Sequence, residues 1–215
     1  MDLVGTQTGK LRIGVLLSGR GSNFMAIAEA IRGGRLKDVE IAVVISNVAD
    51  AGGLKTAREL GFPCEVFISK GRTREEHDAD VIACLKAHGV DLVCLAGYMR
   101  LLSAQFIAAF ANRILNIHPA LLPAFPGMDA QTQAFEYGVK IAGCTVHFVD
   151  EHLDHGVIVV QRAIAVEETD DAHLLAVRIL VEEHIAYSEA IRMVASGEYE
   201  IRGRRYVKKP AQGCS

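Results

Sequence analysis

Residues 113–127 read R-I-L-N-I-H-P-A-L-L-P-A-F-P-G. A short apolar run carries two polar residues two apart, Asn116 and His118, and the chain then turns through Pro119, Pro123 and Pro126. In a strand, positions two apart share a face, so an amide and an imidazole stand side by side. Proline cannot donate to a ladder and disfavours helix at the residue before it, so the strand stops at His118. In an open α/β sheet that carboxyl end is where ligands bind. Taken alone, the stretch fits a core histidine beside a turn equally well.

Upstream, apolar runs at residues 11–17, 39–45, 64–67 and 91–96 read as strands. Helical patterns separate them: 24–31, then a helix capped by Asp50 and running to 60, then 73–88, then a short one capped by Ser103 and reaching 110. Downstream come a helix at 129–137 and extended runs at 143–148 and 157–165. The loop between those runs, V-D-E-H-L-D-H-G at 149–156, is short enough to make them antiparallel neighbours. Thr169 or Asp170 caps a long helix to 195, and 199–207, with its R-G-R-R, reads as a small hairpin. Alternating strand and helix implies parallel pairing with right-handed crossovers. The expectation is an α/β chain with a mixed, mostly parallel seven-stranded sheet and helices on both faces. One domain spans 11–207, in lobes 11–110 and 111–207, with tails at 1–10 and 208–215.

Half of the 215 residues are hydrophobic, the formal charge is −3 and the pI is about 6.2. That balance argues against a nucleic-acid or membrane-surface partner, since both call for a net basic face. Cys64, Cys84, Cys94, Cys144 and Cys214 form no C-x-x-C pair, which suggests a reducing compartment. The first ten residues lack a signal peptide's apolar core, and no apolar run approaches the roughly 18 residues of a membrane helix. A cytoplasmic protein is expected.

Two loops carry candidate chemistry. The first, G-R-G-S-N at 19–23, lies between a strand and a helix, where backbone N–H groups meet anions. A dinucleotide site is disfavoured: Phe24 and Met25 follow instead of the third glycine, no carboxylate ends the second strand, and no Walker lysine is present. What remains is a phosphate-sized site at Gly21, Ser22 and Asn23, or a plain tight turn. The second loop holds Asp150, Glu151, His152, Asp154 and His155. It reads as a metal cluster lacking the usual ligand spacing, as a polar hairpin loop, or as the source of a carboxylate that orients His118. An imidazole held by a carboxylate suits a carbonyl oxygen becoming an oxyanion, and the Asn116 amide can donate to the same oxygen. Of the other histidines, His88 reads as a helix C-cap, His147 as structural, His77 and His173 as surface residues, and His184 as structural or lining a site.

G-R-G-S-N, L-A-G-Y-M-R-L-L at 95–102, I-L-N-I-H-P-A-L-L-P at 114–123 and G-C-T-V-H-F-V-D-E-H-L-D-H-G at 143–156 together resemble the folate-dependent glycinamide ribonucleotide formyltransferase family. The resemblance covers residues 11–207 and implies a Rossmann-like formyltransferase fold. It implies transfer of a formyl group from 10-formyltetrahydrofolate, as cosubstrate, to the amine of 5-phosphoribosylglycinamide in purine biosynthesis, without a metal. Carried over by position, Asn116, His118 and Asp154 match the catalytic trio. Gly21, Ser22 and Asn23 match the phosphate loop, and Glu183 matches a ribose contact. Arg74 matches a folate contact, while Met99, Arg100, Leu101 and Leu102 with Asp150, Glu151, His152, Leu153 and Asp154 match the pterin pocket, beside Asn116. Ala120, Leu180 and M-D-A-Q-T-Q at 128–133 depart from the family pattern. The implied partners are small molecules, with a monomer or homodimer as the assembly.

Three other readings compete. A methionyl-tRNA formyltransferase calls for a further C-terminal domain and a basic surface. A formyltetrahydrofolate deformylase calls for an N-terminal domain, for which ten leading residues leave no room. A folate or phosphosugar sensor has no need of all three members of the trio.

Overall fold

The first strand, β1 (Leu11–Leu17), is buried at all but one position because helices cover both of its faces. β2 (Val39–Ser46), β3 (Cys64–Val66), β4 (Leu92–Leu95) and β5 (Ile114–His118) extend the sheet in parallel. β6 (Ile141–Phe148) runs antiparallel to β5, and β7 (Ile158–Ala165) antiparallel to β6. The structure is a computed structural model describing residues 9–210. Most of the expected leader and the end of the C-terminal tail, with Cys214, lie outside the described residues.

Among the described residues the sheet has nine strands, in the order β3-β2-β1-β4-β5-β6-β7-β9-β8. Seven were expected because the C-terminal hairpin, β8 (Tyr199–Arg202) and β9 (Arg205–Lys208), reads as a separate small unit. Instead β9 pairs with β7 at Ile158 and Arg205. The Tyr206 ring meets Phe148 edge-on at 5.3 Å and stacks on Tyr199 at 5.4 Å, so aromatic packing draws the hairpin onto the sheet.

Alternate side chains of β1 enter opposite cores. Ile13, Val15 and Leu17 meet α1 (Ser22–Arg32), α2 (Gly52–Glu59) and α6 (Ala172–Ala195) through Phe24, Leu54, Ile179 and Tyr187. Leu16 joins the opposite core, where α3 (Arg74–Ala87) and α4 (Ala104–Ala109) supply Val81, Leu85 and Phe106. α5 (Ala130–Tyr137) precedes β6. Two caps differ from expectation. α2 begins at Ala51 with no side-chain cap, so Asp50 is not used. α6 is capped by Asp171, which accepts from the Leu174 N–H, rather than by Thr169 or Asp170. Asp170 is already committed: its carboxylate accepts from the Glu167 N–H and pairs with Arg178.

Leu16 of β1 is in register with Leu95 of β4, and Leu95 with Asn116 of β5. The carboxyl ends of these strands are therefore level. β1 and β4 are also the neighbours at which strand order reverses, the position where open α/β sheets place ligands.

Candidate active site

Gly21 starts the site from the β1 side. Its φ of 77° is left-handed, and a Cβ there would lie 2.5 Å from the Gly53 Cα, so glycine alone fits this close approach to α2. Gly21 is the N-cap of α1 and offers no side chain to the first helical N–H groups, which belong to Ser22 and Asn23. The Asn23 amide instead donates to Glu183 of α6 at 2.8 Å, both residues being buried. Burial raises the Glu183 carboxyl above its ordinary range, and the Asn23 bond only partly offsets this. Thus Gly21, Ser22, Asn23 and Glu183, expected together, do meet.

After β4 the chain crosses back over β1. Ser18 donates its N–H to the Gly97 carbonyl at 3.0 Å, and its hydroxyl accepts from the Met99 N–H at 2.9 Å. Met99 and Leu101 are 67% and 55% exposed, and Leu153 of the second loop is 57% exposed. Large apolar side chains are left open on both expected pterin walls, which is how binding surfaces differ from ordinary ones. Arg74 is exposed at the first position of α3.

At the end of β5, Asp154 reaches between two histidines. Its Oδ2 lies 3.4 Å from His118 Nδ1 and accepts from the Gly127 N–H at 2.8 Å; its Oδ1 lies 3.7 Å from His147 Nε2. Burial by itself would raise the Asp154 carboxyl; contacts with His147, the Gly127 N–H and His118 outweigh it and hold the group below its ordinary value. Asp154 also has φ 48°, a left-handed conformation that aspartate tolerates better than most residues. His118 Nε2 donates to the Phe125 carbonyl at 2.7 Å, since a carbonyl can only accept. The turn carrying Phe125 is tied down: Thr145 donates to the Ala120 carbonyl at 2.7 Å and Gln161 to the Leu122 carbonyl at 2.8 Å. Beneath, the Tyr187 hydroxyl lies 3.1 and 3.0 Å from the Leu95 and Leu115 carbonyls, fixing α6 under β4 and β5.

Residues 11–191 match the family described as Formyl transferase. The chain belongs to the formyl transferase family. It is 45% identical over 188 residues to the trifunctional purine biosynthetic protein adenosine-3 of Drosophila melanogaster, covering 86% of the chain and 14% of that relative. It therefore spans well under a fifth of that relative's length. It is 38% identical over 192 residues to phosphoribosylglycinamide formyltransferase of Escherichia coli (strain K12), covering 89% of the chain and 90% of that protein. Its fold superposes on the crystal structure of glycinamide ribonucleotide transformylase 1 from Symbiobacterium toebii with a TM-score of 0.91 at 52% identity, covering 94% and 95% of the two chains.

Two histidines have partners that the local sequence does not show. His147 does more than fill a strand: its Nδ1 donates to the Phe148 carbonyl, which leaves Nε2 to accept from the Asn116 amide at 3.2 Å. The signal was the β5–β6 register, Asn116 opposite His147, which is not local in sequence. His77, expected at the surface, is fully buried against Asp78 and the Phe67 carbonyl. His88 is the C-cap residue of α3, as read. His184 lines a cleft of about 570 Å³ between α1 and α6, with Glu29, Arg35 and Arg192. In the second loop, Asp150, His152 and His155 turn ligand atoms toward one another within 4.8 Å, and Arg204 lies against His155. Glu151 is exposed beside them, and Arg100 and Leu102 are partly buried.

Proposed function

We propose that the chain transfers the formyl group of 10-formyltetrahydrofolate to the amine of 5-phosphoribosylglycinamide, yielding formylglycinamide ribonucleotide and tetrahydrofolate in de novo purine biosynthesis. The observation that carries the reading is the group of Asn116, His118 and Asp154 at the carboxyl end of β5, level with the end of β1.

In this reading the amine lone pair attacks the formyl carbon, and the carbonyl electrons move onto oxygen. His118 Nε2 exchanges the Phe125 carbonyl for that oxygen, Asp154 stabilises the imidazolium through Nδ1, and Asn116 donates its second amide N–H, which no group among the described residues claims. Collapse breaks the bond to folate N10, which leaves with the proton the amine gives up. Gly21, Ser22 and Asn23 hold the phosphate at the start of α1, and Glu183 accepts from the ribose. Arg74, Met99, Arg100, Leu101 and Leu102 face folate from one side, and Asp150, Glu151, His152, Leu153 and Asp154 from the other. The lobes 11–110 and 111–207 divide these tasks. The chain works in the cytoplasm on small molecules, as a monomer or homodimer. Among the described residues, no helix is long and apolar enough to cross a membrane.

The test follows folate release spectrophotometrically with and without the phosphoribosyl acceptor. Release that depends on the acceptor and disappears in Asp154→Asn is expected. Release that ignores the acceptor identifies a hydrolase, and no release leaves a binding protein.

A further inference from the structure

The loop from Gly97 to Ser103 is fastened at two points. In front, Ser18 bonds to Gly97 and Met99. Behind, the Ser103 N–H donates to Asp78 Oδ2 at 2.7 Å. Between the fasteners, Met99 and Leu101 stand mostly in solvent, so burial does not hold them. The rear fastener is a carboxylate with no solvent exposure, and burying a charge is expensive unless it is paired. Its pairing is complete: Asp78 Oδ1 lies 3.2 Å from His77 Nδ1, and His77 Nε2 donates to the Phe67 carbonyl at 2.9 Å. Beside it, the buried Tyr98 hydroxyl has no hydrogen-bond partner among the described residues. A cap for the Ser103 N–H needs only one acceptor, yet the Asp78 side chain is itself held by His77, and His77 by the Phe67 carbonyl, which is more than the local backbone requires.

The position of Asp78 supplies the reason. It lies on α3, one turn after Arg74, whereas Ser103 ends the Met99–Leu102 wall. Arg74 and that wall come from different elements, and both are assigned above to folate. The Asp78–Ser103 bond ties those elements to each other.

We infer that Asp78 is a positioning residue for the folate cosubstrate, setting the Met99–Leu102 wall relative to Arg74, with His77 holding the Asp78 carboxylate in place. The inference rests on the formyl-transfer reading for the identity of the ligand. Asp78 and His77 touch no substrate; they act through the loop.

The experiment measures steady-state kinetics for each substrate separately, and the calorimetric Kd of tetrahydrofolate, in the parent, Asp78→Asn, His77→Gln and Ser103→Ala. In Asp78→Asn, the KM for 10-formyltetrahydrofolate and the Kd of tetrahydrofolate rise about tenfold, while the acceptor KM stays within about twofold. His77→Gln keeps the Phe67 bond and shifts the folate values about threefold in the same direction. Ser103→Ala, which keeps the N–H, leaves them unchanged. A folded Asp78→Asn with parental folate affinity overturns the inference, as do KM values that rise in step for both substrates. If Asp78→Asn does not fold, unchanged folate values in His77→Gln overturn it. A parent that binds folate but transfers nothing overturns the transfer reading alone; one without folate affinity overturns both.

Discussion

The Asn116 amide nitrogen and His147 Nε2 lie 3.2 Å apart across the antiparallel β5–β6 pair. The same histidine nitrogen is 3.7 Å from Asp154, but having accepted from Asn116 it has no proton to give the carboxylate, so the ring steadies Asn116 alone. Replacing His147 with alanine therefore loosens Asn116 without touching a substrate. Its kcat is expected to fall by roughly 10-fold to 100-fold, the usual cost of losing a group that orients active residues, with both KM values near parental. Steady-state kinetics on the folded variant checks this, and a parental kcat would detach His147 from the site.

Asp154→Asn keeps the shape and removes the charge. A fall in kcat on the order of 10²–10³ is expected if the charge on His118 matters in the transition state. The carboxyl is held below its ordinary value, so it binds its proton more weakly folded than unfolded. Its contribution to stability is then full above the unfolded value near pH 4 and is lost as pH falls through the folded value. Urea unfolding from pH 7 down to pH 3 should show the parent's advantage over Asp154→Asn shrinking in acid. A constant difference would contradict this assignment.

Glu183 has the opposite sign. Burial raises its carboxyl, so the folded state holds the proton more tightly, and stability falls as pH rises from the unfolded value to the folded one. Glu183→Gln keeps an acceptor for Asn23 and removes the buried charge. Its Tm at pH 8 is expected to equal or exceed the parent's, while the KM for the phosphoribosyl acceptor rises several-fold. A lower Tm with an unchanged KM would mean that the carboxylate serves the fold alone.

Gly21→Ala meets two obstacles, a left-handed φ and the Gly53 backbone. The conformational term alone costs about 1–2 kcal/mol, which for a chain of this size lowers Tm by at least about 2–4 °C per kcal/mol. Because the same residue opens α1 toward the proposed phosphate, the acceptor KM should rise more than the folate KM. Calorimetry and kinetics on one preparation test both.

Much of this was legible in residue order. Apolar runs placed β1, β2, β4 and β5, and the Asn116–His118 spacing with its proline stop marked the end of β5 as the candidate site, because both signals are local. The misread features depend on distant partners. His77 is buried because the Phe67 carbonyl accepts from it across a loop, and Asp170 is lost to capping because Arg178 claims it. His147 reaches Asn116 through strand register. Two histidines that read differently, His77 as a surface residue and His118 as a candidate site residue, share one arrangement, with Nε2 on a backbone carbonyl and Nδ1 facing an aspartate. His77 uses it in the dry interior and His118 at the ligand edge.

β5 is the fifth of nine strands counted from either edge. Fraying has to strip four strands from one side or the other before it reaches Asn116 and His118. The amides of β5 should therefore exchange with solvent only through the largest openings of the molecule. Losses at the short outer strands, β3 or β8, leave the chemistry standing. Partial unfolding and inactivation are thereby separated, and the strand bearing the proposed oxyanion donors is among the last parts of the chain to melt.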